Sequence, residues 1–537
     1  MTTINITDAT LAKAVDLFKQ GQYDEAQNFF LSVLNTDQNN PDALYFMGMI
    51  DHQAGRTEVA EHRANELVRL KPADSKALNL LGTILMSQRK LSEASKHFEK
   101  GIRSSKTDAI IRVNAAMCSI GEGNPDKSIE YCKEAIKINP DYANAYNILG
   151  NAYLGKSDYS TAAETFNKAL EIKPDFHDAR FNLGRALLEK GDPDAALPYF
   201  EKVLAANPQL EHALSCKADV LTFQRNYSAA EEFYQQAIKV NDSFAPAYVG
   251  LGRLYAALFK PTEALAYYKR AIELNPNNIE ALMRAGDAFR KLNNLEAAAA
   301  AFQDALDIDP DNAQAKYHLA TVQQNLPPPA KPDNDYVRRL FDEFVPTYDE
   351  SLANIEYNGP ELLAALAQQF LPDGNEQSQD ILDIGCGTGL SGIKFKHIAR
   401  NLKGIDISPR MIDAARKRGI YDELEENEIL NALVKHQNDT DLVVSADMFP
   451  YVGDLESIFL AITSALRSNG LFLFTVETHQ GDEAYKLSKT ARYSHSREYI
   501  TSLATRRGLS VLSCNDTSYR KEAGVPVSGL TVALRKA

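Results

Sequence analysis

One spacing governs the first part of this chain. From residue 48 onward a small residue recurs every 34 positions, at Gly48, Gly82, Ala116, Gly150, Gly184, Ala218, Gly252, Gly286 and Ala320. Twelve places after each of the first eight comes a second small residue, at Ala60, Ala94, Ser128, Ala162, Ala196, Ala230, Ala264 and Ala298. Four places further lies a mostly bulky one, at Phe98, Cys132, Phe166, Phe200, Tyr234, Tyr268 and Phe302, with Ala64 the exception. Units close near Pro72, Pro140, Pro174, Pro208, Pro276 and Pro310, and proline stops a helix because it lacks an N–H and clashes with the preceding turn. Paired helices explain the pattern: small residues let two axes approach, and the ring one turn later fills the space beside them. A unit this short cannot bury its apolar face alone, so a stack of antiparallel helix pairs is predicted and a single core is ruled out.

The pattern resembles the tetratricopeptide repeat, over residues 8–325, as about nine units plus a half unit. The first unit, around Gly21 and Ala26, is the least regular, as expected where a stack must end against water. The resemblance implies an α-helical solenoid whose groove, lined by the first helix of each unit, holds a protein or peptide. Asn79, Asn147, Asn151, Arg185, Asp219, Arg253, Asp287 and Arg290 are expected there. Taken singly, each reads more simply as a solvated position on an amphipathic helix, but the groove as a whole reads as a partner-binding surface.

Leu326-Pro-Pro-Pro-Ala-Lys-Pro-Asp ends this periodicity, because consecutive prolines favour an extended segment, and residues 326–335 read as a linker. The second domain is expected over 336–537. There, after a helical stretch from Tyr336 to Phe370, short apolar runs at 381–384, 402–407, 442–446 and 471–476 alternate with helix-like stretches. That alternation predicts a doubly wound α/β sheet, and the runs 509–514 and 530–534 suit an antiparallel pair at its end. Charge narrows the function classes: 58 Lys plus Arg against 72 Asp plus Glu give a net charge of -14, which disfavours general nucleic-acid binding. The 5 cysteines form no C-x-x-C pair, so neither a disulfide framework nor a metal site is expected. The amino-terminal residues lack a signal-peptide pattern and no run suits a membrane span, so a reducing bacterial cytoplasm is the expected compartment.

The chemistry is concentrated in Asp380-Ile-Leu-Asp-Ile-Gly-Cys-Gly-Thr-Gly-Leu-Ser-Gly. Gly385, Gly387 and Gly389 follow a buried strand and precede a helix, where a tight turn and a ligand approaching the backbone exclude side chains. Asp383 stands two residues before the first glycine, and Asp406 closes the next strand, 17 residues after Gly389, where an acid suits a pair of ribose hydroxyls. A dinucleotide site is the competitor, since Gly387, Gly389 and Gly392 make G-x-G-x-x-G, but the strictly alternating glycines after an acid disfavour it.

This motif resembles the first motif of the class I S-adenosylmethionine-dependent methyltransferases, which have a Rossmann-like fold. The resemblance implies a cofactor loop of Gly385, Cys386, Gly387 and Gly389, with Asp383 orienting the cofactor's ammonium end. It implies ribose contact at Asp406, adenine contact at Ile407 and Glu428, and Asp447 and Met448 facing cofactor and acceptor. Further segments, among them Phe341-Asp-Glu-Phe-Val-Pro-Thr-Tyr-Asp, Ala446-Asp-Met-Phe-Pro-Tyr and Arg492-Tyr-Ser-His-Ser, look like the bacterial methyltransferases fused to tetratricopeptide repeats, a family whose acceptor the resemblance does not name. If the acceptor must lose a proton, His495 is the expected general base, because imidazole titrates near neutrality. Tyr451 and Tyr493 are candidate acceptor-lining phenols, and Arg492 and Arg520 would suit an acidic acceptor. The rival reading is a scaffold that keeps the fold and has lost turnover.

Overall fold

The computed structural model describes residues 6–323, 329–371, 377–522 and 524–537. Among them, helices Ile6–Lys19 to Ala313–Val322 make nine antiparallel pairs and a final single helix. Second helices begin where a turn residue caps them: Asn124, Asp158, Asp192, Asn226 and Asn294 each accept the backbone N–H three residues on. The predicted packing is present in detail. A Cβ added to Gly82 would lie 2.6 Å from the Phe98 ring, and one on Gly150 2.5 Å from Phe166. Gly252 and Gly286 are filled in the same way by Tyr268 and Phe302, and all four rings are essentially fully buried. The 34-residue period is thus the spacing of one glycine-against-ring contact per helix pair.

Two compact units divide the chain, Met1–Asp242 and Ser243–Ala537. Among the described residues, the elements of the first are all helices, down to Tyr227–Val240. The second begins with helices Ala245–Ala257, Pro261–Leu274, Ile279–Lys291, Leu295–Ile308 and Ala313–Val322 and continues into the α/β part. Of the proline-rich stretch, residues 326–328 lie outside the described residues. Pro329 and Ala330 are anchored: the Pro329 carbonyl accepts from the Tyr493 hydroxyl at 2.6 Å, and Ala330 accepts from the Gly453 and Asp454 amides at 2.8 and 3.0 Å.

The α/β part is a seven-stranded mixed sheet. Its strands are β1 (Gln379–Ile384), β2 (Ala399–Asp406), β3 (Glu423–Glu426), β4 (Thr440–Ser445), β5 (Leu466–Glu477), β6 (Leu509–Thr517) and β7 (Gly529–Lys536), in spatial order 3-2-1-4-5-7-6. The first five are parallel, and β7 runs antiparallel to both β5 and β6, as the two closing apolar runs suggested. Apolar clusters cover both faces, one around Ile384, Phe449 and Phe474 and the other around Leu363, Phe395 and Leu473. Strand β3 reads Glu-Leu-Glu-Glu at an edge and is partly exposed, which is why it leaves no apolar run in the sequence. Strand order reverses between β1 and β4, and ligands of such sheets bind at the carboxyl ends of the strands on either side of that reversal. Those ends deliver Gly385 from one side and Asp447 from the other.

The ring-filled glycines make a direct stability test. Gly150→Ala should cost about 1–3 kcal/mol by overpacking against Phe166, although alanine is the better helix former. Gly155→Ala in the same helix, with only Pro125 at 3.9 Å, should be neutral or stabilising. Urea unfolding followed by circular dichroism separates them, and equal effects would contradict the packing account.

Candidate functional site

Strand β1 ends in a loop that only glycine adopts without strain: φ is +71° at Gly385, +53° at Gly387 and +97° at Gly389. A Cβ on Gly385 would also collide with Met448 at 2.9 Å, so the loop following β4 closes on the loop following β1. The helix Leu390–Phe395 starts directly at Gly389. Two buried carboxyls flank this loop. Asp406, at the end of β2, accepts the Gly387 amide through Oδ2 at 2.9 Å and the Ser408 amide through Oδ1 at 2.9 Å, tying the two loops together. Asp383 is fully buried, and its Oδ2 accepts the Tyr421 hydroxyl at 2.7 Å while its Oδ1 has no partner among the described residues. Burial is the main cause that raises both groups, Asp383 to about 7, with repulsion from Asp406 contributing, and Asp406 to about 6.

The segment preceding β1 covers this end of the sheet. Helix Asn334–Phe344 is tied to the loop after β2, since Asp342 accepts the Ser408 hydroxyl at 2.6 Å and Arg338 donates to the Ile407 carbonyl at 3.3 Å. Helix Tyr348–Asn354 is tied to the glycine loop, where Asp349 accepts the Thr388 hydroxyl at 2.6 Å and pairs with Arg418. Tyr348 lies against Gly387, with its Cε1 3.7 Å from where a Cβ would be. An edge-to-face series then runs from Tyr348 to Phe341 at 6.3 Å and from Phe341 to Tyr451 at 5.0 Å.

Beyond Tyr451 lies a charge cluster at the ends of β4 and β5. Arg492 donates through Nη2 to both oxygens of Asp447 at 2.9 and 2.8 Å, through Nε to Glu477 at 2.6 Å, and through Nη1 to the Tyr451 hydroxyl at 3.0 Å. Arg520 pairs with the same Glu477 oxygen, and Tyr519 donates to Asp447 at 2.9 Å. Asp447 itself has φ of +62°, unusual for a residue with a side chain, and its amide donates to the Thr475 hydroxyl at 3.0 Å. Two guanidinium groups and two carboxylates balance each other there, as groups this far from water require.

Comparison with known proteins fits this geometry. A methyltransferase-domain family model matches residues 355–513. Tetratricopeptide-repeat models match 17–84, 107–175, 149–211, 217–279, 249–313 and 283–323. The chain carries tetratricopeptide repeats and a methyltransferase domain. Among curated proteins, it is 35% identical to human methyltransferase-like protein 27 over 17% of this chain and 38% of that protein. It is 25% identical to the probable S-adenosylmethionine-dependent methyltransferase CRG1 of Saccharomyces cerevisiae over 28% of this chain and 55% of that protein. The chain therefore spans less than two thirds of either relative's length. A solved tetratricopeptide repeat protein from Parabacteroides merdae is 20% identical over 47% of this chain and 99% of that chain, at a TM-score of 0.41.

Within the methyltransferase domain, the structure brings Asp383, Gly385, Cys386, Gly387, Gly389, Asp406, Ile407, Asp447 and Met448 to one end of the sheet. Several other expectations are corrected. His495 is fully buried; its Nε2–H donates to the Gly453 carbonyl at 2.9 Å, and burial lowers its pKa to about 4, so it has no face to offer an acceptor as a base. Tyr493 is also fully buried, with its hydroxyl engaged by the Pro329 carbonyl. Arg492 and Arg520 are neutralised by Asp447 and Glu477 and do not present free charge to an acidic acceptor. Glu428 is not among those corrected: it stands in the loop after β3, where it caps helix Ile429–Leu433 through the Asn431 amide and pairs with Lys331 at 3.3 Å.

Two residues escaped the sequence reading. Glu477 closes a buried apolar strand, a position where a charged residue signals a paired carboxylate. Tyr421 fills the space left by Gly392 and Gly404: added Cβ atoms would meet its ring at 2.5 and 2.9 Å. Gly392, which gave the dinucleotide pattern its last glycine, is thus explained by packing.

The raised Asp383 carboxyl gives a pH test that needs no ligand. An aspartate with a folded pKa near 7 and an ordinary unfolded value takes up protons on folding, so its contribution to stability falls as pH rises from about 4 through 7. Asp383→Asn should equal the parent below pH 4 and exceed it by at least about 1 kcal/mol at pH 8, measured by urea unfolding. A variant less stable than the parent at pH 8 would show that this carboxylate is satisfied in the folded chain.

Proposed function

We infer that the methyltransferase domain uses S-adenosylmethionine and that the repeats bring it a protein or peptide partner. The observation that carries the first half is the unpartnered, fully buried Oδ1 of Asp383 beside a glycine loop with no side chains in the way. A buried carboxylate oxygen lacking a donor suits the ammonium of an amino-acid moiety. Asp406 has lone pairs left after accepting two amides and suits ribose hydroxyls, while Ile407 and Met448 supply apolar surface on either side of the loop. When bound, S-adenosylmethionine supplies a methyl carbon made electrophilic by its sulfonium.

What the chain contributes is alignment and exclusion of water, which give well-oriented reactants up to ~7–11 kcal/mol. Tyr348 and Phe341 cover the loop from one side, and Tyr451 continues that cover toward Asp447. Asp447, held by Arg492 and Tyr519, is the carboxylate nearest the β4 end and would accept a hydrogen bond from an acceptor's N–H or O–H. The 25% identity to a yeast protein named as a probable S-adenosylmethionine-dependent methyltransferase supports the same donor. For the repeats, support rests on their number and on polar side chains such as Asn151 and Arg185 on first helices.

Calorimetric titration of the whole protein with S-adenosylmethionine tests the donor. Gly387→Val should abolish binding, because valine does not accept φ of +53°, and Asp406→Ala should weaken it by about 1.5–3 kcal/mol. Unchanged affinity in both variants would remove the site from the loop. Incubation with methyl-labelled donor and cell extract then separates the enzyme from a silent scaffold, since turnover transfers label to an acceptor and a scaffold leaves the donor intact.

A further inference from the structure

The segment carrying Arg492 is held from outside the α/β part. It is a small ribbon, Tyr485–Leu487 paired antiparallel with Tyr493–His495, closed by residues 488–492. Within that loop the Ser488 amide donates to the Arg492 carbonyl at 2.9 Å and the Ala491 amide to the Ser488 carbonyl at 3.0 Å. Ala491 has φ of +59°, a conformation that costs a residue with a Cβ and persists only where the surroundings impose it.

Those surroundings are the last repeats. Tyr317, on helix Ala313–Val322, donates its buried hydroxyl to the Ala491 carbonyl at 2.6 Å. Arg290, on helix Ile279–Lys291, donates to the Lys489 carbonyl at 2.6 Å and is itself fixed by Asp287 at 3.0 Å. Two helices thus grip the carbonyls of Lys489 and Ala491, on either side of Thr490, and Ala491 immediately precedes Arg492. Tyr317 also packs with Tyr493 at 6.1 Å and Tyr336 at 5.9 Å in one apolar cluster that includes Ala491. Asp287 and Arg290, which the sequence assigned to the partner groove, serve this contact instead.

We propose that Tyr317 and Arg290 are positioning residues of the methyl-transfer site, acting through Arg492 to hold Asp447 in place. The chain of contacts is continuous: repeat helix to the 491 carbonyl, along one peptide to Arg492, and from its guanidinium to Asp447, Glu477 and Tyr451. The repeats therefore contribute to the site's geometry as well as to recruitment. The proposal rests on the donor reading above.

The test is a double-mutant cycle on the full chain, read as S-adenosylmethionine affinity by calorimetry. Tyr317→Phe keeps the ring and removes one hydrogen bond, and should weaken donor binding about fivefold. In an Arg492→Lys background the same change should have no further effect. Unchanged affinity in Tyr317→Phe, or an equal loss in both backgrounds, would overturn the proposal. If the parent protein takes up no donor, the donor reading fails separately, and amide hydrogen exchange decides this one. Faster exchange in Tyr317→Phe at both 488–492 and 447–448 supports the relay, and a change confined to 488–492, or none, refutes it.

Discussion

A fully buried carboxyl that meets one hydrogen-bond donor among the described residues sets the terms for the whole methyltransferase domain. Asp383 stands at the end of a buried parallel strand, where desolvation favours its protonated form. Tyr421 meets one oxygen and leaves the other. On the proposed reading, a ligand rather than a side chain completes the coordination of the other oxygen. Three glycines in left-handed conformation keep the loop thin, and Asp406 holds that loop by the Gly387 amide. The neighbouring loop presses Met448 against Gly385. The destabilisation of an unmet buried carboxylate is the kind of strain that a folded chain retains where it serves binding.

At the adjoining strand ends the solution is the opposite one. Asp447 and Glu477 are neutralised by Arg492 and Arg520, with Tyr519 donating to Asp447, so this region is electrically balanced. A balanced cluster fixes geometry because removing any one member leaves an uncompensated charge. Its ring partner Tyr451 joins it to the aromatic cover formed by Phe341 and Tyr348. Glycine loop, aromatic cover and charge cluster are consequently linked by a continuous series of contacts.

The repeat was legible because one contact dictates it. Gly150 and Phe166 must meet in space, and the helix-pair geometry fixes how far apart they fall in sequence. The glycine loop was legible for a similar reason: Asp383, Gly385, Gly387 and Gly389 are neighbours in both sequence and space. What failed was long-range. His495 reads as a catalytic imidazole in a loop, but its burial and its bond to Gly453, 42 residues away, are invisible to local pattern. Arg492 and Arg520 read as free cations because their partners lie 15 and 43 residues off on β5. Edge strand β3 was faint because polar residues suit an edge, and Tyr421 went unassigned because its pocket is made by glycines on two other segments.

The most direct test of the Asp383 account is the proton balance of donor binding. Titration of the protein with S-adenosylmethionine at pH 6.5–7, repeated in two buffers of different ionisation enthalpy, gives the number of protons exchanged. A cationic ammonium completing a carboxyl whose free pKa is near 7 must drive out part of a proton, so net release is predicted, diminishing by about pH 8.5 and absent in Asp383→Asn. Tight binding with no proton release at pH 6.5, or release undiminished in Asp383→Asn, would contradict it.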